Sequence, residues 1–180
     1  CMVRPEFDYE KMIEVVHTGV ENLNRIIDIN YYPVPETKIS NVKHRPIGVG
    51  VQGLADVFAM MWTNFDSELA NDLNNKIFET IYYAAVQKSM LISKERHLNY
   101  TNDNNCNQYE NEIVNTKYPG AYSTFEGSPL QEGKFQFDLW GKEPNEKEKW
   151  DELRKEVLVY GVRNSTLIAI MPTASTSQIL

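Results

Sequence analysis

Five consecutive small residues near the end of the sequence have the types and spacing needed to bind a phosphate group. They are Pro172, Thr173, Ala174, Ser175 and Thr176, and they follow a short apolar segment. Proline suits the first turn of a helix, where backbone N–H groups lack intrahelical partners and the helix dipole is positive. Small side chains let an anion approach those amides, and the three hydroxyls add donors. The stretch therefore predicts either an anion-binding turn or an ordinary helix N-cap, since both have this composition.

A second informative stretch contains three glycines at short intervals. Apolar residues alternate with glycines from 47 to 51, which predicts a strand over about 46–52. Gly48, Gly50 and Gly53 have the spacing of a dinucleotide-binding loop, but two of them fall inside the predicted strand and not after it. We therefore interpret the two glycines inside the strand as marking a close approach of two backbones.

Other side chains that could do chemistry have a competing structural interpretation. His44 and Arg45 could contact an anion, but a structural salt bridge is the favoured interpretation. His17 lies on a predicted helix and is interpreted as a solvated or packed residue. Tyr31 and Tyr32 are expected to pack a loop onto the core; the functional alternative is that one of them stacks on a substrate or carries a radical. The sequence predicts no catalytic residue and no metal ligand in this chain.

Long amphipathic helices must position these stretches. Apolar residues at helical spacing predict four helices, over 8–29, 54–61, 66 to about 96 and 143–160, and Asp8 is predicted to be the N-cap of the first. Residues 30–46 are predicted to form a loop, and residues 166–171 a second strand. Strands separated by long helices favour parallel pairing in an α/β sheet or barrel. In such folds, binding sites gather beyond the carboxyl ends of strands, where the Pro172–Thr176 turn would lie.

The side-chain pattern also predicts how the helices pack. The buried stripe of the long helix is predicted to comprise Leu69, Leu73, Ile77, Ile81, Ala84 and Ala85. The segment before the last helix is predicted to be held to the core by Phe125, Phe135, Phe137 and Trp140. Gly19, in the middle of the first helix, is expected to mark a close helix contact.

Residues 98–117 differ from the rest in composition. Seven asparagines occur between Asn99 and Asn115, with few apolar residues among them. We expect a polar surface insertion here, with Cys106 exposed inside it and without neighbours that would lower its pKa.

Length and charge exclude several classes of protein. The chain of 180 residues fits one domain, and its net charge of −7 argues against non-specific nucleic-acid binding. It contains no apolar run of about 20 residues and no secretory signal, so we expect neither a membrane span nor export. With two cysteines, a reducing, cytoplasmic location is expected. The chain does not begin with an initiator methionine, and it ends at Leu180 shortly after a helix is predicted to begin. We therefore expect it to be a piece of a longer protein.

Several blocks of the sequence together resemble the large, catalytic subunit of class I ribonucleotide reductase. They are His44-Arg-Pro-Ile-Gly-Val-Gly-Val-Gln-Gly-Leu-Ala-Asp56, Asn74-Asn-Lys-Ile-Phe-Glu-Thr-Ile-Tyr-Tyr83, Phe125-Glu-Gly-Ser-Pro129, Gly161-Val-Arg-Asn-Ser165 and Met171-Pro-Thr-Ala-Ser-Thr-Ser-Gln-Ile-Leu180. The blocks occur in the family's order and cover nearly the whole chain, and the Asn-rich insertion is the main departure.

This resemblance implies a fold, an activity and partners. The chain would form part of one ten-stranded α/β-barrel domain, contributing two strands between long helices. The parent protein would reduce ribonucleoside diphosphates to deoxyribonucleoside diphosphates by thiyl-radical chemistry. It would rely on a metal-radical cofactor in a partner small subunit, a thioredoxin- or glutaredoxin-type reductant and allosteric ATP or dNTP, and would form a homodimer or larger assembly. Pro172, Thr173, Ala174, Ser175 and Thr176 would bind the substrate diphosphate.

The resemblance also implies that part of the chemistry lies elsewhere. The family's radical cysteine lies in an Asn-x-Cys-x-Glu block that this sequence lacks, and neither cysteine here has those flanking residues. We therefore expect no turnover from these 180 residues alone, and self-association or marginal stability of the isolated piece. A standalone phosphate- or nucleotide-binding module, or a partner-docking piece, is the alternative.

Overall fold

The computed structural model describes residues 5–102 and 114–178. The helices are α1 (Tyr9–Ile29), α2 (Pro35–His44), α3 (Leu54–Met60), α4 (Glu68–Asn102), α5 (Gln136–Leu139) and α6 (Lys147–Tyr160), and a 3₁₀ turn covers Thr176–Gln178. Helix α4 packs against both α1 and α6 and forms the centre of the hydrophobic core.

Helix α1 follows the prediction closely. The Asp8 side chain accepts a hydrogen bond from the Lys11 N–H at 2.8 Å and caps the helix. Val16 and Val20 are buried on the face that meets α4, where Ala84 and Ala85 are completely buried and allow a close crossing. The expectation for Gly19 was wrong, because a methyl group added there would meet no atom within 4 Å.

The segment predicted as a loop over 30–46 contains helix α2. Pro35 occupies the first turn of this helix, where its missing N–H costs nothing. Further along, the Asn41 side chain bonds back to the Thr37 carbonyl, and Arg45 ends the helix in the left-handed region at φ 45°. Tyr31 is 83% exposed and does not pack on the core, whereas the Tyr32 hydroxyl donates to the Ile27 carbonyl at 2.7 Å.

Helix α4 is longer than predicted, and five of the six residues of its predicted stripe are buried: Leu73, Ile77, Ile81, Ala84 and Ala85. The Ser67 hydroxyl accepts the Ala70 N–H at 3.2 Å and caps its start. Leu69 is 44% exposed, so it was wrongly placed in the buried stripe; the buried residue of this first turn is its neighbour Ala70. The helix continues to Asn102, inside the span predicted as an insertion, and Asn115 at the other end is buried. Residues 103–113, with Cys106, lie outside the described residues.

Helix α6 begins at Lys147 and not at 143, and Glu79 on α4 bonds to groups at its start. Glu79 accepts the Glu146 N–H at 3.2 Å and the Trp150 indole N–H at 3.1 Å. The helix ends at Gly161 with φ 69°, as its glycine predicted.

Two of the predicted aromatic anchors before α6, Phe125 and Phe135, are buried. A third, Phe137, is partly buried against the core. Trp140 is 68% exposed, so it was wrongly predicted as an anchor. It ends the short helix α5, and its side chain lies outside the ring cluster that Phe135 and Phe137 form with Trp150.

The two predicted strands, 46–52 and 166–171, are extended segments, and no strand is assigned within the residues that the structure covers. They pair in parallel at one isolated bridge, Val49 with Ile168. The first segment then turns at Gly53, whose φ of 75° begins the entry to α3. We call residues 46–52 and 166–171 the paired segments.

Candidate functional site

A buried hydrogen-bond network lies where the paired segments begin. The side-chain amides of Asn24 and Asn164 bond to each other reciprocally, at 3.0 Å and 3.1 Å. The Asn164 amide also donates to the Arg45 carbonyl at 2.8 Å, and the Ser89 hydroxyl donates to Asn164 Oδ1 at 2.9 Å. Because Asn164 and Ser89 are completely buried, each lost partner would leave a polar group unsatisfied. The network joins α1 and α4 to the starts of both paired segments.

The Arg45 guanidinium belongs to this network and is not available to a ligand. Its side chain is 2% exposed, and it bonds to both carboxylate oxygens of Asp28 at 2.6 Å and 3.0 Å. It also donates to the Asn24 carbonyl at 2.9 Å. The adjacent His44 shares a 2.9 Å hydrogen bond with the Thr124 hydroxyl. The structure therefore confirms the salt-bridge interpretation of Arg45 over the anion-contact one.

The paired segments lie so close together that the first of them has no room for a side chain at Gly48 or Gly50. The Val49 N–H donates to the Leu167 carbonyl at 2.8 Å, and the Ala169 N–H donates to the Val49 carbonyl at 3.0 Å. A methyl group at Gly48 would lie 2.7 Å from the Ala169 Cβ, and one at Gly50 would lie 2.8 Å from the Ala169 carbonyl oxygen. This confirms that these glycines mark a close backbone approach.

The candidate phosphate turn follows directly from the second paired segment. Pro172, Ala174 and Ser175 are exposed, and Thr173 and Thr176 are partly buried. The Thr173 hydroxyl donates to the Pro172 carbonyl at 2.8 Å, and the Thr176 hydroxyl donates to the Thr173 carbonyl at 3.3 Å. The helical start expected at Pro172 is instead a 3₁₀ turn that begins at Thr176.

Thr173 has an unusual backbone conformation for its residue type. Its φ of 57° lies in the left-handed region, which β-branched residues rarely adopt. Such a conformation costs of order 1–3 kcal/mol and is found mostly where the surrounding structure or a ligand requires it. The residue types of the turn were evident from the sequence, whereas this conformation had no sequence signal, because a threonine does not predict positive φ.

An open cleft of about 1150 Å³ borders the second paired segment at Ile168. Its wall includes Tyr82 on α4, Phe137 and Trp140 before α6, and Ile168 and Ile170 on the second segment. The last of these is 56% exposed. Sequence reasoning missed this cleft, since its wall is assembled from parts of the chain that are far apart in sequence.

Two further observations bear on the chemistry of the described residues. Within 5–102 and 114–178, no three histidine, cysteine, aspartate or glutamate side chains are grouped so that they could hold a metal ion. Within the same ranges, no helix has the length and apolar character of a membrane span. Cys1 and Cys106 lie outside the described residues.

The sequence was compared with known families and proteins. The family model described as the ribonucleotide reductase barrel domain matches residues 1–180. The chain belongs to this family. It is similar to the ribonucleoside-diphosphate reductase large subunit of Caenorhabditis elegans, with 49% identity over 180 residues, covering 99% of this chain and 20% of that protein. The corresponding mimivirus protein, from Acanthamoeba polyphaga mimivirus, is 48% identical over 179 residues, covering 98% of this chain and 18% of that protein.

A third relative is the ribonucleoside-diphosphate reductase large chain of Neurospora crassa, 47% identical over 174 residues. That match covers 97% of this chain and 16% of the relative. The chain thus spans about a fifth of the length of the curated relatives that it matches. Membership of the ribonucleotide reductase barrel family, expected from the sequence blocks, is confirmed.

Proposed function

We propose that this chain supplies the substrate-diphosphate turn of a ribonucleoside-diphosphate reductase large subunit. The observation that carries the proposal is the exposed turn Pro172–Thr176 at the end of the second paired segment, with Thr173 in the left-handed region. The full protein would reduce ribonucleoside diphosphates to deoxyribonucleoside diphosphates. A standalone phosphate-binding module is not favoured, because the family model covers the whole chain.

The turn has the chemistry to bind a doubly charged phosphate without a cationic side chain. The backbone of the turn runs through an exposed stretch of small residues, where an anion can approach its N–H groups. The hydroxyls of Thr173 and Ser175 can rotate to donate to phosphate oxygens. Hydrogen bonds to a charged group contribute about 1.5–3 kcal/mol each. Because the diphosphate does not change during reduction of the ribose, this binding would lower KM more than it raises kcat.

The remaining parts of the activity belong to the rest of the protein and its partners. The radical cysteine would lie outside this chain, and the radical would originate from the metal-radical cofactor of a small subunit. A thioredoxin- or glutaredoxin-type reductant would restore the enzyme, ATP and dNTP would regulate it, and the large subunit would form a homodimer or larger assembly in the cytoplasm. The residues described here would bind and orient the diphosphate.

We also propose that the paired segments are neighbouring strands of the ten-stranded barrel in the full protein. Their parallel bridge at Val49 and Ile168 has the pairing that adjacent barrel strands require. The exposed Ile170 and the open cleft beside it would then face further parts of the barrel. A strand gains stability from neighbours on both sides, which accounts for the short pairing seen here.

The proposal is tested by kinetics of the full-length large subunit with its small subunit. Changing Thr173→Ala together with Ser175→Ala removes two hydroxyl donors, and we expect KM for the ribonucleoside diphosphate to rise at least about 10- to 150-fold, the effect of one such hydrogen bond. A control variant, Thr18→Ala with Thr80→Ala, removes two hydroxyls that bond only to carbonyls of their own helices. An unchanged KM in the turn variant would contradict side-chain binding of the diphosphate.

A further inference from the structure

The paired segments must be held in register by something other than a long ladder. They share one bridge, and only a few backbone hydrogen bonds connect them. The register matters, because Gly48 and Gly50 have to face Ala169. A slip of one residue would replace the Ala169 methyl group opposite these glycines by the larger side chain of Ile168 or Ile170, for which there is no room. It would also move the following turn by about 3.3 Å.

Asn164, in the buried hydrogen-bond network, holds the starts of the two paired segments in this register. Asn164 lies two residues before the second segment and donates to the carbonyl of Arg45, which lies one residue before the first. Its pairing with Asn24 and its bond from Ser89 attach Asn164 to α1 and α4. Beyond the anchor, the Thr166 hydroxyl donates to the Ile47 carbonyl at 3.0 Å, and the Ile47 N–H donates to the Thr166 carbonyl at 3.2 Å.

We propose that Asn164, held by Asn24, is a positioning residue for the diphosphate turn. The chain runs in a hydrogen-bonded path from this anchor to Ala169, and Pro172 follows three residues later. A methyl group at Gly50 would come within 3.9 Å of the Met171 backbone nitrogen, so the first segment remains in contact up to the start of the turn. This inference rests on the proposed function of the turn and adds a residue that acts on it without touching the substrate.

A positioning role for Asn164 and a merely stabilising role predict changes in different kinetic constants, KM and kcat. A variant that only destabilises the fold lowers the amount of active enzyme, and so the apparent kcat, while KM for the folded fraction stays the same. A variant that displaces the turn weakens binding of the diphosphate and raises KM. Misplacement of a binding group by about 1 Å can cost up to about 100-fold in catalytic efficiency.

The experiment uses the full-length large subunit with its small subunit, and normalises kcat to folded protein by circular dichroism. We expect Asn164→Ala to raise KM for a ribonucleoside diphosphate about 10- to 100-fold. The Asn24→Ala, Asn164→Ala double variant should raise KM no further than the larger single effect, because both residues act through one anchor. The control Arg154→Met removes hydrogen bonds to Asp138 and the Gly133 carbonyl, neither of which belongs to the paired segments, and should leave KM unchanged.

A milder variant decides the matter if Asn164→Ala does not fold. Thr166→Val keeps the side-chain shape and removes only the hydroxyl bond to the Ile47 carbonyl, so we expect a rise in KM of about 2- to 12-fold. The inference is overturned if Asn164→Ala or Thr166→Val lowers only kcat while Thr173→Ala with Ser175→Ala raises KM, since the turn would then bind substrate without this anchor. It is overturned together with the proposed function if Asn164→Ala, Thr166→Val and the turn variant all leave KM unchanged.

Discussion

Changing Gly48→Ala should separate the paired segments, and the structure fixes how far. The added methyl group would lie 2.7 Å from the Ala169 Cβ, whereas carbon atoms pack best at about 3.5–4.0 Å. The segments must therefore move apart by about 1 Å. The hydrogen bond from the Val49 N–H to the Leu167 carbonyl, now 2.8 Å, would lengthen beyond the useful range of about 3.2 Å.

The expected cost follows from two opposing effects. Overpacking of this kind costs about 1–3 kcal/mol. Replacing a glycine also restricts the unfolded chain, which favours folding by about 0.4–1 kcal/mol. Since no positive φ is recorded for Gly48, no backbone strain adds to the balance. We expect a net loss of about 1–2 kcal/mol, which is a factor of about 5–30 in the local opening equilibrium.

Hydrogen exchange followed by mass spectrometry measures this opening directly in the full-length large subunit. Peptides that contain Val49 and Ala169 should exchange about 5- to 30-fold faster in Gly48→Ala than in wild type. Adding Ala169→Gly removes the opposing methyl group and should restore most of the protection. In Gly50→Ala the clash is with the Ala169 carbonyl oxygen, so the same second change should not rescue it. Wild-type exchange in Gly48→Ala, or equal rescue of both variants, would refute the close-approach reasoning.

Two further predictions concern charges on α1. Asp28→Asn should lower the free energy of unfolding by about 1.5–3 kcal/mol in urea titrations, because Arg45 stays charged and buried. The control Glu14→Gln, in an exposed pair with Lys11, should change it by less than about 1 kcal/mol, and equal effects would contradict the prediction. Burial lowers the pKa of His17, so its contribution to stability is complete above the unfolded value of about 6.5 and decreases as pH falls below it. Urea titrations at pH values above and below about 6.5 should show that His17→Gln removes this decrease in stability. An unchanged pH dependence would contradict the role given to His17.

The helices were predictable because their apolar residues repeat at helical spacing. Val16 and Val20 on α1, and Trp150 and Val157 on α6, are buried as their spacing indicates. Helix boundaries were less predictable, since they depend on hydrogen bonds supplied from elsewhere. Glu79 is the clearest case, because it accepts N–H groups from a helix start 67 residues further along the chain.

The polar network could not be predicted, because long-range pairs of polar side chains leave no periodic signal. Asn24 and Asn164 are 140 residues apart, and either would normally be interpreted as a surface residue. For the same reason Arg45 was recognised as a salt-bridge candidate without its partner, Asp28. Glycines were more informative, since Gly48 and Gly50 indicated a close approach and only the opposing residue, Ala169, was unknown.

The candidate turn was identified from residue types alone, and its conformation was not. Small hydroxyl residues after an apolar segment indicate an exposed junction, and the structure shows one at Pro172–Thr176. The left-handed backbone at Thr173 and the delayed 3₁₀ turn at Thr176 depend on tertiary context, which residue propensities do not contain. The family blocks contributed what spacing could not, namely the proposal that the anion is a diphosphate.

The most direct test of the central claim is a hydrogen-exchange footprint of the turn in the full-length large subunit. Exchange of the peptide spanning 171–178 would be measured with saturating ribonucleoside diphosphate and, separately, with the corresponding nucleoside. We predict that the diphosphate slows exchange of this peptide and that the nucleoside does not, because the backbone amides of the turn would bind phosphate oxygens. Equal exchange of this peptide with diphosphate and with nucleoside would contradict the account.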